Sequence, residues 1–246
     1  MNFYSELIPY VGSFIAYFVL GIAGFGSALI LVPLLSLHQS LSQVIPTVLL
    51  LDLFTSLILG KLHFRKIDFQ AIQKITPFML LGILIGSSIY NYFDSVIGSL
   101  ILGIYVFAIG LKGFFRNKGA FIKLPKIMNL WVMGVLIGIV EFTMGTSGPL
   151  IASFYGQKIT NHDTLRVNVS TAVLIVVVMT LLYFGLQGRL SSQGLWLETI
   201  HLTPFAILGV YLGNLFTKKI SESASLRVFY LVLILSAIIT IFSIVA

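Results

Sequence analysis

The chain has 246 residues, of which 58% are hydrophobic and 9% charged, whereas a soluble domain carries about 25% charged residues. So few charges cannot cover a water-facing surface, so lipid is expected to cover most of the molecule and no soluble domain is expected. The formal charge of +7 would suggest a nucleic-acid partner in a soluble protein, but here the basic residues fall in short connections between apolar segments, the pattern of positive-inside topology.

In chain order, the first apolar segment runs over 7–23 and lacks the basic region that opens a signal peptide. A glycine-rich break follows at Gly24, Phe25, Gly26 and Ser27, then a short apolar segment at 27–37. Spans are expected at 43–60, 69–91 and 95–114. A basic stretch, LKGFFRNKGAFIKLPK, then carries Lys112, Arg116, Lys118, Lys123 and Lys126. Beyond it come 128–142, a second break at 143–148, a short segment at 149–157, and spans at 165–186, 199–217 and 223–245. The stretches 167–183 and 228–246 contain no charge, and each is about as long as a helix crossing ~30 Å of hydrocarbon. They do not alternate as barrel strands do.

The chain repeats itself. TPFMLLGILIG from Thr76 and TPFAILGVYLG from Thr203 share Thr-Pro-Phe, Leu-Gly and a glycine four residues on. GIAGFGSALILVPLL (21–35) has a weaker counterpart in GIVEFTMGTSGPLIA (138–152). The expected layout is therefore a first repeat at 1–114, a basic cytoplasmic linker at 115–127 and a second repeat at 128–246. Segments 27–37 and 149–157 are too short to cross alone, so each half is expected to begin with a re-entrant hairpin whose broken tip lies at membrane depth, where it must be buried in protein or line a cavity.

Charge counting favours the second hairpin. If it returns to the side it entered, 14 of the 15 basic residues share one side and Arg189 stands alone opposite; a single crossing would split them 10 to 5. Each half then crosses three times, so the halves insert in opposite orientations and both termini are expected to be periplasmic. The fold class is thus an all-α polytopic membrane protein of two inverted repeats, each with a broken-helix hairpin and three transmembrane helices. Such broken helices hold substrates near the midplane in secondary transporters.

The breaks are the leading site candidates. Glycine lets the backbone turn and lets a ligand approach. Pro149 suits a first helical turn, with Ser147 or Gly148 as the cap. Each break offers a helix N-terminus to an anion, with Ser27, Thr143, Thr146 and Ser147 as hydroxyl donors and Gly145 beside them. Close helix packing by small residues is the bland alternative. The acidic residues within spans are Asp52 and Glu141; an intramembrane carboxylate is a functional candidate, and either residue is a candidate to carry a coupling proton. Packing, or an interfacial position for Asp52, is the alternative. Arg166 and Asn168 open the next span: Arg166 is expected at the cytoplasmic mouth, attracting anions or anchoring the helix, and Asn168 in the substrate site. Thr76-Pro77 and Thr203-Pro204 are expected to kink or start helices. His38, His63, His162 and His201 have no metal-ligand spacing, there is no cysteine, and no nucleophile–base pair or phosphate loop is visible. Neither an enzyme, a metal nor a cofactor is expected.

At these same residues the chain resembles the TauE/SafE-type sulfite exporter family. Residues 21–35, with Gly24, Gly26 and Pro33, are similar to its glycine-rich N-terminal signature. Residues 145–150, followed by Arg166, are similar to the C-terminal counterpart. The chain departs from the glycine-richest members at Ser27, Ala28, Glu141 and Ser147. The resemblance covers nearly the whole chain and implies movement of sulfite, sulfoacetate or a related sulfonate across the cytoplasmic (inner) membrane. Alternating access, with or without proton coupling, is the expected mechanism, in a monomer or an oligomer. A carrier of another small organic anion and an anion channel are the alternatives.

Overall fold

The computed structural model describes residues 3–61, 67–90, 95–115, 129–156, 159, 162–217 and 222–245. The linker at 115–127 lies outside them except for its first residue, as do Arg65, Lys66, Lys158, Lys218, Lys219 and Ala246. Among the described residues the chain is helical throughout, with no strand.

The described residues form ten helices in order: α1 (Phe3–Ala23), α2 (Ser27–Leu35), α3 (Leu41–Lys61), α4 (Phe69–Tyr90), α5 (Ser95–Phe114), α6 (Leu130–Met144), α7 (Gly148–Tyr155), α8 (His162–Leu186), α9 (Gln193–Thr217) and α10 (Glu222–Val245). Each matches an expected segment. Pro77 and Pro204 lie inside α4 and α9 rather than at their starts. Beside them the Thr76 and Thr203 hydroxyls donate to the carbonyls of Ile72 (2.8 Å) and Thr199 (2.6 Å), one turn back.

Among the described residues four stretches, at Leu41–Ile58, Phe69–Tyr90, Thr164–Leu186 and Gln193–Phe216, are long and apolar enough to cross a bilayer. Apolar side chains cover the outside as well as the core, and a few polar ones are buried. Leu80, Leu84, Leu182, Leu208, Tyr211 and Phe242 face outward, while Ser27, Asp52, Glu141, Thr146 and Ser147 are buried. An outer surface this apolar is stable only under lipid.

The repeated glycines are explained by helix packing. On α9, a Cβ at Gly209 would stand 2.5 Å from the Phe14 carbonyl oxygen, and one at Gly213 would overlap the Phe18 carbonyl. On α1, a Cβ at Gly21 would stand 2.6 Å from the Val210 oxygen. Positions rise together along both helices, so α1 and α9 run parallel at backbone contact. The same holds for α4 and α6: Gly134 meets Ile75 and Phe78, Gly138 meets Met79 and Ile83, and Gly86 meets Ile139 and Phe142. Thus α1 packs on α9 as α6 packs on α4, an exchange of elements five places apart in the chain. Each Thr-Pro-Phe segment buries its glycines against the first helix of the other half. Also, α10 packs on α5, and α3 on α8.

The end of α2 lies beside α1. A Cβ at Gly12 of α1 would stand 3.1 Å from Leu34 Cδ1 near the end of α2. Just beyond α2, Gln39 Nε2 donates to Glu198 Oε1 at 2.8 Å. Glu198 is near the start of α9, and hence level with the first part of α1.

Candidate functional site

The first break is turned by Gly24 and Gly26, at φ +83° and +101°. These left-handed values are open to glycine at no steric cost. The second is turned by Gly145 at φ +64°, whose N–H closes α6 on the Glu141 carbonyl at 2.8 Å, a left-handed helix end. Ser147 occupies the α7 N-cap position, with Pro149 in the first turn, as the sequence indicates.

The two breaks touch. A Cβ at Gly148 would stand 3.3 Å from Phe25 Cβ and 3.7 Å from the Gly26 nitrogen. Residues more than a hundred positions apart therefore meet in the buried centre, and both carboxylates are there with them. Asp52, on α3, is 4% exposed. Its Oδ1 accepts hydrogen bonds from the Ser27 hydroxyl at 2.7 Å and the Tyr17 hydroxyl at 2.8 Å. Glu141 is 1% exposed, and its Oε2 accepts the Ser147 backbone N–H at 3.0 Å.

This arrangement refines the expectation of helix N-termini open to an anion. At α7 a carboxylate of the protein already occupies part of the positive end, in the way a helix N-terminus favours any anion. At α2 the Ser27 hydroxyl is turned to Asp52. Yet the centre keeps spare polar atoms. Glu141 Oε1, Thr146 Oγ1, Ser147 Oγ and the Tyr105 hydroxyl are buried without hydrogen-bond partners, and Tyr105 of α5 also lies within reach of the Glu141 charge. Buried polar atoms are seldom left unpaired.

Other expected residues hydrogen-bond within the protein. The Thr143 hydroxyl donates back to the Ile139 carbonyl at 2.8 Å, inside its own helix. Asn168 is fully buried. Its Oδ1 accepts the Asp68 N–H at 2.7 Å and its Nδ2 donates to the Thr164 carbonyl at 2.8 Å, tying the start of α4 to α8. Arg166 lies over the first break: a Cβ on Gly24 would overlap its side chain. Its Nη2 donates to the Gly21 carbonyl and to Asn214 Oδ1, the latter at 3.0 Å. Ser170, one turn on, donates to the Gly24 carbonyl at 2.6 Å. Arg166 is thus a clamp joining α8, α9 and the first break.

Sequence reasoning missed Tyr17 and Tyr105. Both are aromatic residues in apolar helices, and nothing local distinguishes them from packing residues. Among the described residues no cluster of His, Asp or Glu is arranged to hold a metal.

The family described as Sulfite exporter TauE/SafE matches the chain over residues 10–240. A protein of Comamonas testosteroni named "Probable inner membrane transporter protein TsaS" is 27% identical over 194 residues, which cover 78% of this chain and 80% of that protein. No solved structure matches the chain.

Proposed function

The chain belongs to the Sulfite exporter TauE/SafE family, and from that premise we propose that it is a secondary carrier of a small sulfur-containing anion, sulfite or a sulfonate, in the inner membrane. The observation that supports this reading best is the meeting of Gly148 with Phe25 and Gly26. It puts two helix N-termini and the unpaired Thr146 and Ser147 hydroxyls around one buried point of an otherwise apolar bundle. Relatedness to a protein named as an inner membrane transporter supports the location.

The halves are read as inverted repeats with re-entrant hairpins and both termini outside. Support comes from the exchange that relates α1–α9 to α6–α4, and from the return of α2 toward the level at which its hairpin begins. A carrier of this kind works by rocking the two halves about the central site.

Electrostatics argues for coupling to protons. Two unit charges 4 Å apart at an effective dielectric of about 20 interact by roughly 4 kcal/mol. An anion entering beside Asp52 and Glu141 would meet repulsion of that order. A proton on Glu141 relieves it, weakens the hold on the Ser147 N–H and frees that donor for the substrate. Anion and proton then move together.

The test is counterflow in proteoliposomes. Preloaded unlabelled sulfite should drive saturable accumulation of labelled sulfite, stimulated when the side of entry is acidified. Unsaturable flux with single-channel currents would assign an anion channel instead.

A further inference from the structure

A cavity of about 320 Å³ opens where the α2–α3 and α8–α9 connections meet, walled by Gln39, Gln43, Thr47, Arg189, Ser192 and Glu198 among others. We infer that this cavity is a second binding site, for an organic anion whose oxyanion head sits on Arg189 and whose hydrogen-bond-donating group, a hydroxyl or ammonium, sits on Glu198.

Arg189 is held ready for such a head. Its guanidinium carbon lies 4.6 Å from the Tyr90 ring centre, 5.3 Å from that of Phe184 and 5.9 Å from that of Phe142. Aromatic faces attract a cation, and the half-buried Arg189 side chain lines the cavity. A guanidinium fork suits planar or bidentate recognition of an oxyanion. On another wall, Glu198 takes one hydrogen bond at Oε1 from Gln39; a carboxylate oxygen pair has acceptor capacity beyond that. A ligand bearing only negative charge would be repelled by Glu198, while one carrying a donor turns the same carboxylate into a contact. The volume is at the small end for a ligand pocket, fitting a compact organic acid rather than a larger metabolite.

The cavity shares a helix with the centre. Thr47, in its lining, precedes Asp52 by five residues of α3, about 7.5 Å along the axis. Arg189 rests on Phe142, the neighbour of Glu141. The inference rests on the carrier reading only for its place on a transport path, as an outer station before the central site.

The experiment uses ethanesulfonate and 2-hydroxyethanesulfonate as probes, titrated calorimetrically into the purified full chain, as wild type and in a Gly148→Val background that blocks the central site. In both, the hydroxylated probe should bind at least fivefold more tightly. Glu198→Ala should reduce that preference below twofold. Arg189→Gln should weaken both probes at least tenfold, and Arg189→Lys, which keeps the cation over the rings, should recover part of the loss. Lack of a preference, or its survival in Glu198→Ala, overturns the inference; so does unchanged affinity in Arg189→Gln. A preference present in wild type but absent in the Gly148→Val background places the selectivity in the central site and likewise overturns it. Loss of counterflow with the preference intact overturns the carrier reading and leaves this site standing.

Discussion

Gly148 lies against Phe25 so closely that a Cβ there would stand 3.3 Å from the Phe25 Cβ, and this contact joins the two helix breaks. A larger side chain must push the breaks apart or fill the space between them. Gly148→Val is expected to weaken sulfite binding at least tenfold, about 1.4 kcal/mol, in protein that still inserts and purifies. The control is Gly185→Val, where the nearest neighbour of a Cβ is Leu190 at 3.8 Å. Equal affinities in the two variants would move the substrate site away from the breaks.

Tyr17→Phe tests the support of Asp52. The substitution keeps the ring and deletes one of the two hydroxyl donors to Oδ1. A hydrogen bond to a charged group is worth about 1.5–3 kcal/mol, so the melting temperature in detergent should fall clearly. Tyr211→Phe, on the outer surface, should leave it unchanged. An unaltered melting temperature in Tyr17→Phe would mean that this hydroxyl contributes nothing to the site.

The helices were legible in the sequence because apolar runs, glycines and prolines are local signals: all ten segments lie where length and hydropathy put them. The Thr-Pro-Phe repeat was legible too, but not its physical reason. Gly82 and Gly209 are small because Val135 and Phe14 of the opposite half press against them, and a contact across halves leaves no mark at either position alone. For the same reason Asp52 could be nominated from its cost in a membrane, whereas Tyr17 could not. Asn168, nominated for the substrate, also hydrogen-bonds to Asp68 and Thr164, and neither partner leaves a mark at its own position in the sequence. Arg189 entered the sequence reading only as the odd charge in a topology count. Its setting over three aromatic rings is set by where α4, α6 and α8 converge.

The absence of cysteine allows a clean test of topology. Gln39→Cys and Ser192→Cys line the same cavity and should both react with a membrane-impermeant maleimide added to the periplasmic side. Phe115→Cys, exposed at the end of α5, should react only after the membrane is opened. An alkaline-phosphatase fusion after Ala246 should be active. Labelling of Gln39→Cys from the inside alone would remove the first hairpin, and an inactive fusion would remove the inverted arrangement.

Glu141→Gln addresses coupling. The carboxylate accepts the Ser147 N–H at 3.0 Å, and an amide oxygen can accept the same bond, so the fold of the break should survive. What the amide cannot do is lose and regain a proton. If the proton on Glu141 is what lets an anion enter, the variant resembles the protonated state permanently. Sulfite should then bind with affinity within about threefold of wild type at acidic pH and should no longer weaken as pH rises, because the charge that opposes it, worth roughly 4 kcal/mol at 4 Å and an effective dielectric of about 20, is gone. Exchange of labelled for unlabelled sulfite at equal pH should continue, since it needs no net proton movement. Accumulation driven by a pH gradient should be lost. The decisive measurement is the pair of assays on one proteoliposome preparation. Gradient-driven uptake surviving at the wild-type level would exclude Glu141 as the proton carrier and leave that role to Asp52, where Asp52→Asn can be put through the same two assays.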